Sequence, residues 1–145
     1  MNDYQHILCA VDLSDDNIVV ASRAAELATR YQAKLTLLHV VEYIPIDLAN
    51  ELVLPQQQEI EELLVVQAES SLVLLAEKNV VGQLQNIVVQ GSTKSEILGY
   101  AEENQIDLIV LGRHGRHGLS RLLGSVANAV LHHATCDVMA VKVGK

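Results

Sequence analysis

The chain has 145 residues, a length that suits one domain over positions 1–145, and half of it is hydrophobic, with a mean hydropathy of +0.23. That is too apolar for a disordered chain. A net charge of −8 and a pI near 5.1 argue against a dedicated nucleic-acid or anionic-membrane surface, because phosphate backbones and acidic lipids demand clustered cations.

Met1 to His6 holds neither a basic stretch nor a long apolar one, so no signal peptide is expected. No uncharged apolar run is long enough to span a bilayer, and a cytoplasmic location follows as the expectation. With four Tyr and neither Phe nor Trp, the core must be built from Val, Ile, Leu and Ala. That palette, with two Pro, is typical of sheets buried on both faces. Cys9 and Cys136 lie in separate apolar segments without CxxC spacing, and read as two buried thiols in a reducing compartment.

Ile7 to Val11 is continuously apolar, as a central parallel strand should be. It stops at Asp12-Leu13-Ser14-Asp15-Asp16, where Ser14 or Asp15 is placed to cap a helix. Ile18, Ala21, Ala24, Ala25 and Ala28 then recur at helical spacing. Lys34 to Val41 is the second strand. The connector Glu42 to Pro55 carries both prolines and is apolar for a loop. Gln56 to Lys78 reads as a long helix whose early acidic residues suit its dipole.

Leu84 to Val89 forms a third strand, and Gly91-Ser92-Thr93 turns into a helix from Lys94 to Glu103. Asp107 to Leu111 is the fourth strand. A glycine-rich stretch follows, then a helix from Ser125 to His133 and a last strand from Val138 to Val143. The order βαβαβαβαβ, with right-handed crossovers, predicts a doubly wound α/β fold with helices on both faces of one parallel sheet. Ligands bind such sheets beyond the carboxyl ends of the strands, where Asp12 and Gly112 fall.

The glycine-rich stretch runs from Gly112 to Ser125 and includes Gly115, Gly118 and Gly124. Glycines let backbone N–H groups converge on an anion, and Gly124-Ser125 opens a helix whose unpaired N–H groups favour phosphate. Arg113, Arg116, Arg121, His114 and His117 concentrate here in an otherwise acidic chain. The stretch is not a P-loop, since no Lys stands beside the glycines. Nor is it a dinucleotide fingerprint, since no glycine follows the first strand. On composition alone, a surface loop with a helix start is the other reading.

Three features resemble the universal stress protein family along nearly the whole chain: Ile7 to Ser14, the strand ending Leu38-His39-Val40, and Gly112-x2-Gly115…Gly124-Ser125 followed by a helix and Asp137 to Val141. The last is similar to the G-x2-G-x9-G-[ST] signature of the nucleotide-binding branch, shortened by one residue between Gly115 and Gly124. The resemblance implies an adenine nucleotide alpha hydrolase-like sheet ordered 3-2-1-4-5, with ATP or AMP between strands one and four; Mg2+ enters only with a slow-hydrolase reading, in which Asp12 assists it. It implies that Ala10, Val11 and Asp12 approach the adenine and ribose, with Asp12 accepting from a ribose hydroxyl. Val40 packs on the adenine in the same comparison. Leu111, Gly112, His114 and Gly115 take the ribose and phosphate side, and Gly124, Ser125 and Val126 the phosphate-binding helix start. It also implies a homodimer through the last strand, whose apolar edge would otherwise be exposed.

Against these roles, Asp12 can equally be a helix-start carboxylate, and His39, ending a buried strand, reads first as a hydrogen-bonded core histidine. His114 and His117 lack a Cys or acidic partner for zinc, and His132-His133 suit a helix C-terminus. Ser14 and Ser120 have no evident base, and Glu59, Glu61 and Glu62 read as a solvated face. No catalytic residue is assigned. A nucleotide-binding regulator leads. A slow ATP hydrolase using Asp12 and His114, or a dimeric interaction protein without nucleotide, are the rivals.

Overall fold

A strand with no polar face needs cover on both sides, and Ile7, Leu8 and Cys9 receive it, each 0% exposed. The computed structural model describes residues 3–42, 54–79, 81–114 and 123–143. In it β1 (His6–Ala10) pairs in parallel with β2 (Lys34–Val41) on one side and with β4 (Leu108–Gly112) on the other. Outside these lie β3 (Leu84–Gln90) and β5 (Asp137–Val141), so the sheet is ordered β3-β2-β1-β4-β5, as anticipated.

Alternate residues of each strand feed two cores. Ile7, Cys9, Leu35, Leu37 and Val110 pack under α1 (Asn17–Tyr31) and α2 (Leu54–Glu77). Leu8, Leu38, Val40, Ile109 and Leu111 pack under α3 (Thr93–Glu103) and α4 (Ser125–His133). Each large aliphatic side chain removed from water this way contributes about 1.5–3 kcal/mol. Burial also raises the Cys9 thiol to about 12, which makes it chemically inert. Cys9 and Cys136 are both unpaired, and Cys136 is half-buried rather than buried as expected.

Two details of α1 differ from expectation. Its buried stripe is Asn17, Val20, Ala21, Ala24, Ala25 and Ala28, while Ile18 is 45% exposed. The face is rotated because the helix starts at Asn17, making positions 17, 20–21, 24–25 and 28 one side. Neither Ser14 nor Asp15 caps with its side chain. Asp16 is the N-cap residue and makes no side-chain cap bond. The main-chain oxygens of Ser14, Asp15 and Asp16 instead accept the N–H groups of Asn17, Ile18 and Val19 at 3.0, 3.4 and 3.2 Å.

Helix α2 starts at Leu54, so Pro55 belongs to its first turn, where a missing N–H costs nothing. The rest of the anticipated connector, from position 43 to 53, lies outside the described residues. The first turn of α2 holds no acidic residue, and the run begins only at Glu59, beyond the reach of the dipole. Glu59 and Glu62 are exposed, and Glu61 is half-buried. No described helix is long and apolar enough to cross a membrane.

At the amino ends of the strands, Asp107 accepts backbone N–H groups from Gln5 at 3.0 Å and His6 at 3.1 Å. Tyr4 donates its hydroxyl to Asp137 at 2.7 Å and sets its ring edge against Tyr31. The hydrogen bond to Asp137 is the main cause of the rise of the Tyr4 hydroxyl to about 12. Thr36 is fully buried, and His6 Nε2 lies 2.8 Å from its hydroxyl. Burial first, then the Lys34 charge, lowers the His6 pKa from its ordinary 6.5. The unfolded chain therefore takes up a proton at a higher pH than the fold does. The stability His6 gives is complete above the unfolded pKa and is lost as pH falls toward the lower folded one. Thermal unfolding should show Tm dropping from about pH 7.5 to about pH 5.5, and dropping less in His6→Gln. Equal drops would show that His6 carries none of it.

Candidate functional site

Beyond the carboxyl ends of β1 and β4 the sheet reverses its winding, and a cleft of about 740 Å³ opens there. The loop that leaves β1 forms one wall. Val11 N–H continues the ladder onto Leu38 at 2.9 Å. Asp12 N–H then donates to Asn17 Oδ1 at 2.9 Å, and Ser14 N–H to Asp12 Oδ1 at 2.9 Å. Asn17 Nδ2 donates both to Asp12 Oδ1 and, at 2.9 Å, to Ser14 Oγ. Between them Leu13 is held at φ 63°, a left-handed conformation that a branched side chain adopts only under constraint.

The second wall comes from β2. Val40 and Val41 are buried, and both line the cleft. His39 Nδ1 lies 2.8 Å from the Val11 carbonyl, a geometry that puts the proton on Nδ1. The hydrogen bond is the one expected of His39, but the residue is half-buried rather than core and lines the cleft. Glu42 accepts from the Thr93 hydroxyl at 2.7 Å, which ties the end of β2 to the start of α3.

The third wall is built around one residue. Arg113 N–H donates to the Val141 carbonyl at 2.8 Å, and its own carbonyl accepts from Gly124 N–H at 2.8 Å. These bonds set the N-terminus of α4 beside the end of β4, so that Val126 and Ala127 reach the cleft. Gly112 allows the turn to be tight, because a Cβ there would come within 3.2 Å of the His114 carbonyl.

The cleft gathers Ala10, Val11, Asp12, Val40, Leu111, Gly112, His114 and Val126. Gly124 and Ser125 sit at the helix start without lining the cleft, and Gly115 lies outside the described residues. The N–H of Gly124 is already engaged by Arg113, so an anion here would meet the unpaired first-turn N–H groups that follow it. Sequence reasoning missed Asn17, along with Leu64, Gln67 and Ser71 of α2 and Thr93 and Ile97 of α3, all of which line the cleft. Nothing in their local spacing marks them. They arrive through packing between elements distant in the chain.

Apolar side chains dominate the inner wall, and the rim is acidic. Asp12, Asp16 and Glu42 line the cleft, and no Lys or Arg does so among the described residues. No group of three or more metal-ligating side chains is found among the described residues.

Residues 3–142 match the sequence profile of the universal stress protein family. Universal stress protein A homolog 1 of Coxiella burnetii is 42% identical over 138 residues, covering 95% of this chain and 96% of that protein. Among solved structures, universal stress protein UspA from Lactobacillus plantarum has a TM-score of 0.85 at 29% identity, covering 99% of this chain and 100% of its own. Two more distant structures share the fold. One, at 23% identity and TM-score 0.65, is a universal stress protein in complex with cAMP and covers 97% of this chain and 98% of its own. The other, at 18% identity and TM-score 0.62, is the Archaeoglobus fulgidus protein in complex with dAMP and covers 99% of this chain and 100% of its own.

His114 Nε2 is buried and has no hydrogen-bond partner among the described residues. A buried polar atom left unmatched costs about 1–3 kcal/mol, so removing it should not weaken the ligand-free fold. Tm of His114→Leu is expected at or above that of the parent. A drop of several degrees would show that the ring is already satisfied within the chain.

Proposed function

This chain belongs to the universal stress protein family, and from that premise we propose that it binds an adenine nucleotide in the cleft between β1 and β4. The observation that carries this is convergence. Eight of the eleven residues that the family resemblance assigns to a nucleotide site, drawn from the ends of β1, β2 and β4 and the start of α4, line one cleft at the switch point of the sheet. Its volume of about 740 Å³ falls within the range of small-molecule sites, about 300–1,000 Å³. The complexes of two relatives with cAMP and dAMP support the same class of ligand.

In this reading Val11, Leu38, Val40 and Ile97 supply the apolar surface for an adenine, and Asp12 an acceptor for the ribose. The start of α4 and His114 meet the phosphates. With three carboxylates lining the described cleft, a triphosphate needs a counter-charge, such as a divalent ion at Asp12, to offset repulsion. Binding rather than turnover is the role we assign, with the nucleotide biasing the partner preference of a dimer. The dimer would form at β5, an edge strand of the sheet. The unpaired thiols Cys9 and Cys136 agree with a cytoplasmic setting.

Calorimetry with ATP, ADP and AMP should give saturable heat with at least one of them. Absence of heat with all three would end the proposal. Gly124 has φ −62° and ψ 156°, open to any residue, so glycine is not needed there for the backbone. Gly124→Val should accordingly still fold, with Tm lowered only by the loss of a favoured N-cap residue, and lose about tenfold or more in affinity, because its branched side chain crowds the helix start. Unchanged affinity would remove the phosphate from that position. Sedimentation at micromolar concentration should show a dimer. A monomer alone would refute the β5 contact.

A further inference from the structure

Asn17 is only 6% exposed, although it stands between Asp16 and Ile18 at the surface end of α1. A buried amide must find partners, and this one spends both ends on the loop that leaves β1. Its Oδ1 accepts the Asp12 N–H, and its Nδ2 donates to the Asp12 carboxylate and to the Ser14 hydroxyl. One side chain therefore grips Asp12 by main chain and carboxylate together. Ser14 N–H adds a further bond to the same oxygen, Oδ1. The grip is rigid because α1 is anchored by Val20, Ala21 and Ala24 against the sheet. Leu13, between Asp12 and Ser14, has φ 63°.

We propose that Asn17 is a positioning residue that fixes Asp12 as a selector for ribose hydroxyls, so that the site favours ribonucleotides over nucleotides lacking them. The proposal rests on nucleotide binding in the cleft. A carboxylate already oriented by its own loop loses little freedom when a hydroxyl arrives. A sugar without hydroxyls leaves that acceptor desolvated and unmatched, and a site built to bond a hydroxyl discriminates strongly against its absence. Without Asn17 the Asp12 carboxylate keeps the Ser14 N–H but loses the amide that aligns it, and the sugar is read less well.

The test compares ATP with 2′,3′-dideoxy-ATP by calorimetry on the full chain. The parent should bind ATP about tenfold or more tightly than the dideoxy nucleotide. Asn17→Ala should close that gap by weakening ATP alone, with dideoxy-ATP affinity unchanged. Asn17→Leu, which keeps the side-chain volume and adds no charge but loses the amide, should close it in the same way and serves if the alanine variant fails to fold. A gap that survives in a folded variant overturns the role of Asn17. Equal weakening of both nucleotides shows a structural role and overturns it too. Equal affinity of the parent for both nucleotides removes sugar selection while leaving nucleotide binding intact. Failure of the parent to bind either one refutes the underlying reading itself.

Discussion

Parallel pairing of β1 with β4 joins Ile7 to Leu108, Leu8 to Ile109 and Cys9 to Val110, across about a hundred residues of sequence. The rest of the structure hangs on this contact. To one side the chain winds outward through β2 and β3, and to the other through β4 and β5, so the helices divide between the faces. Where the two windings part, no crossover covers the strand ends, and a cleft is the geometric consequence. The pairing is long-range and costs loop-closure entropy. It is held by side chains that are apolar on both faces of both strands.

The same contact decides which backbone groups reach the cleft. Beyond β4, Arg113 bonds to β5 through its N–H and to Gly124 through its carbonyl, so strand, edge and helix meet at one peptide. Beyond β1, Asn17 returns from α1 to hold Asp12. One wall is thus set by main-chain bonds and the other by a buried amide. Between them, an apolar interior and an acidic rim suit a ligand with a flat apolar end and an anionic one, provided that cations attend the latter.

Much of this was legible in the chain itself. Continuous apolar runs such as Ile7 to Val11 mark buried parallel strands because both faces must be filled, and their alternation with helices marks a doubly wound sheet, whose strand order came only with the family resemblance. Asp12 and Gly112 could be placed at strand ends for the same reason. Local rules failed where tertiary packing outweighs them. Ile18 looked like core, yet the register of α1 turns it to solvent and takes Asn17 inside. Ser14 looked like a cap, but its hydroxyl is bound by Asn17 instead. Gly124 looked like a phosphate donor, and its N–H closes a loop. The contributions of α2 and α3 to the cleft had no local signature.

The central claim is that one cleft, at the carboxyl ends of β1 and β4, receives an adenine nucleotide. Backbone amide chemical shifts recorded during titration with ATP test it most directly. Shifts confined to Ala10 to Asp12, Val40, Gly112 and Ser125 to Val126, with His6 and Asp107 at the opposite end of the sheet unmoved, are the predicted result. A saturating titration that moves no amide, or that moves a cluster elsewhere on the surface, would contradict it.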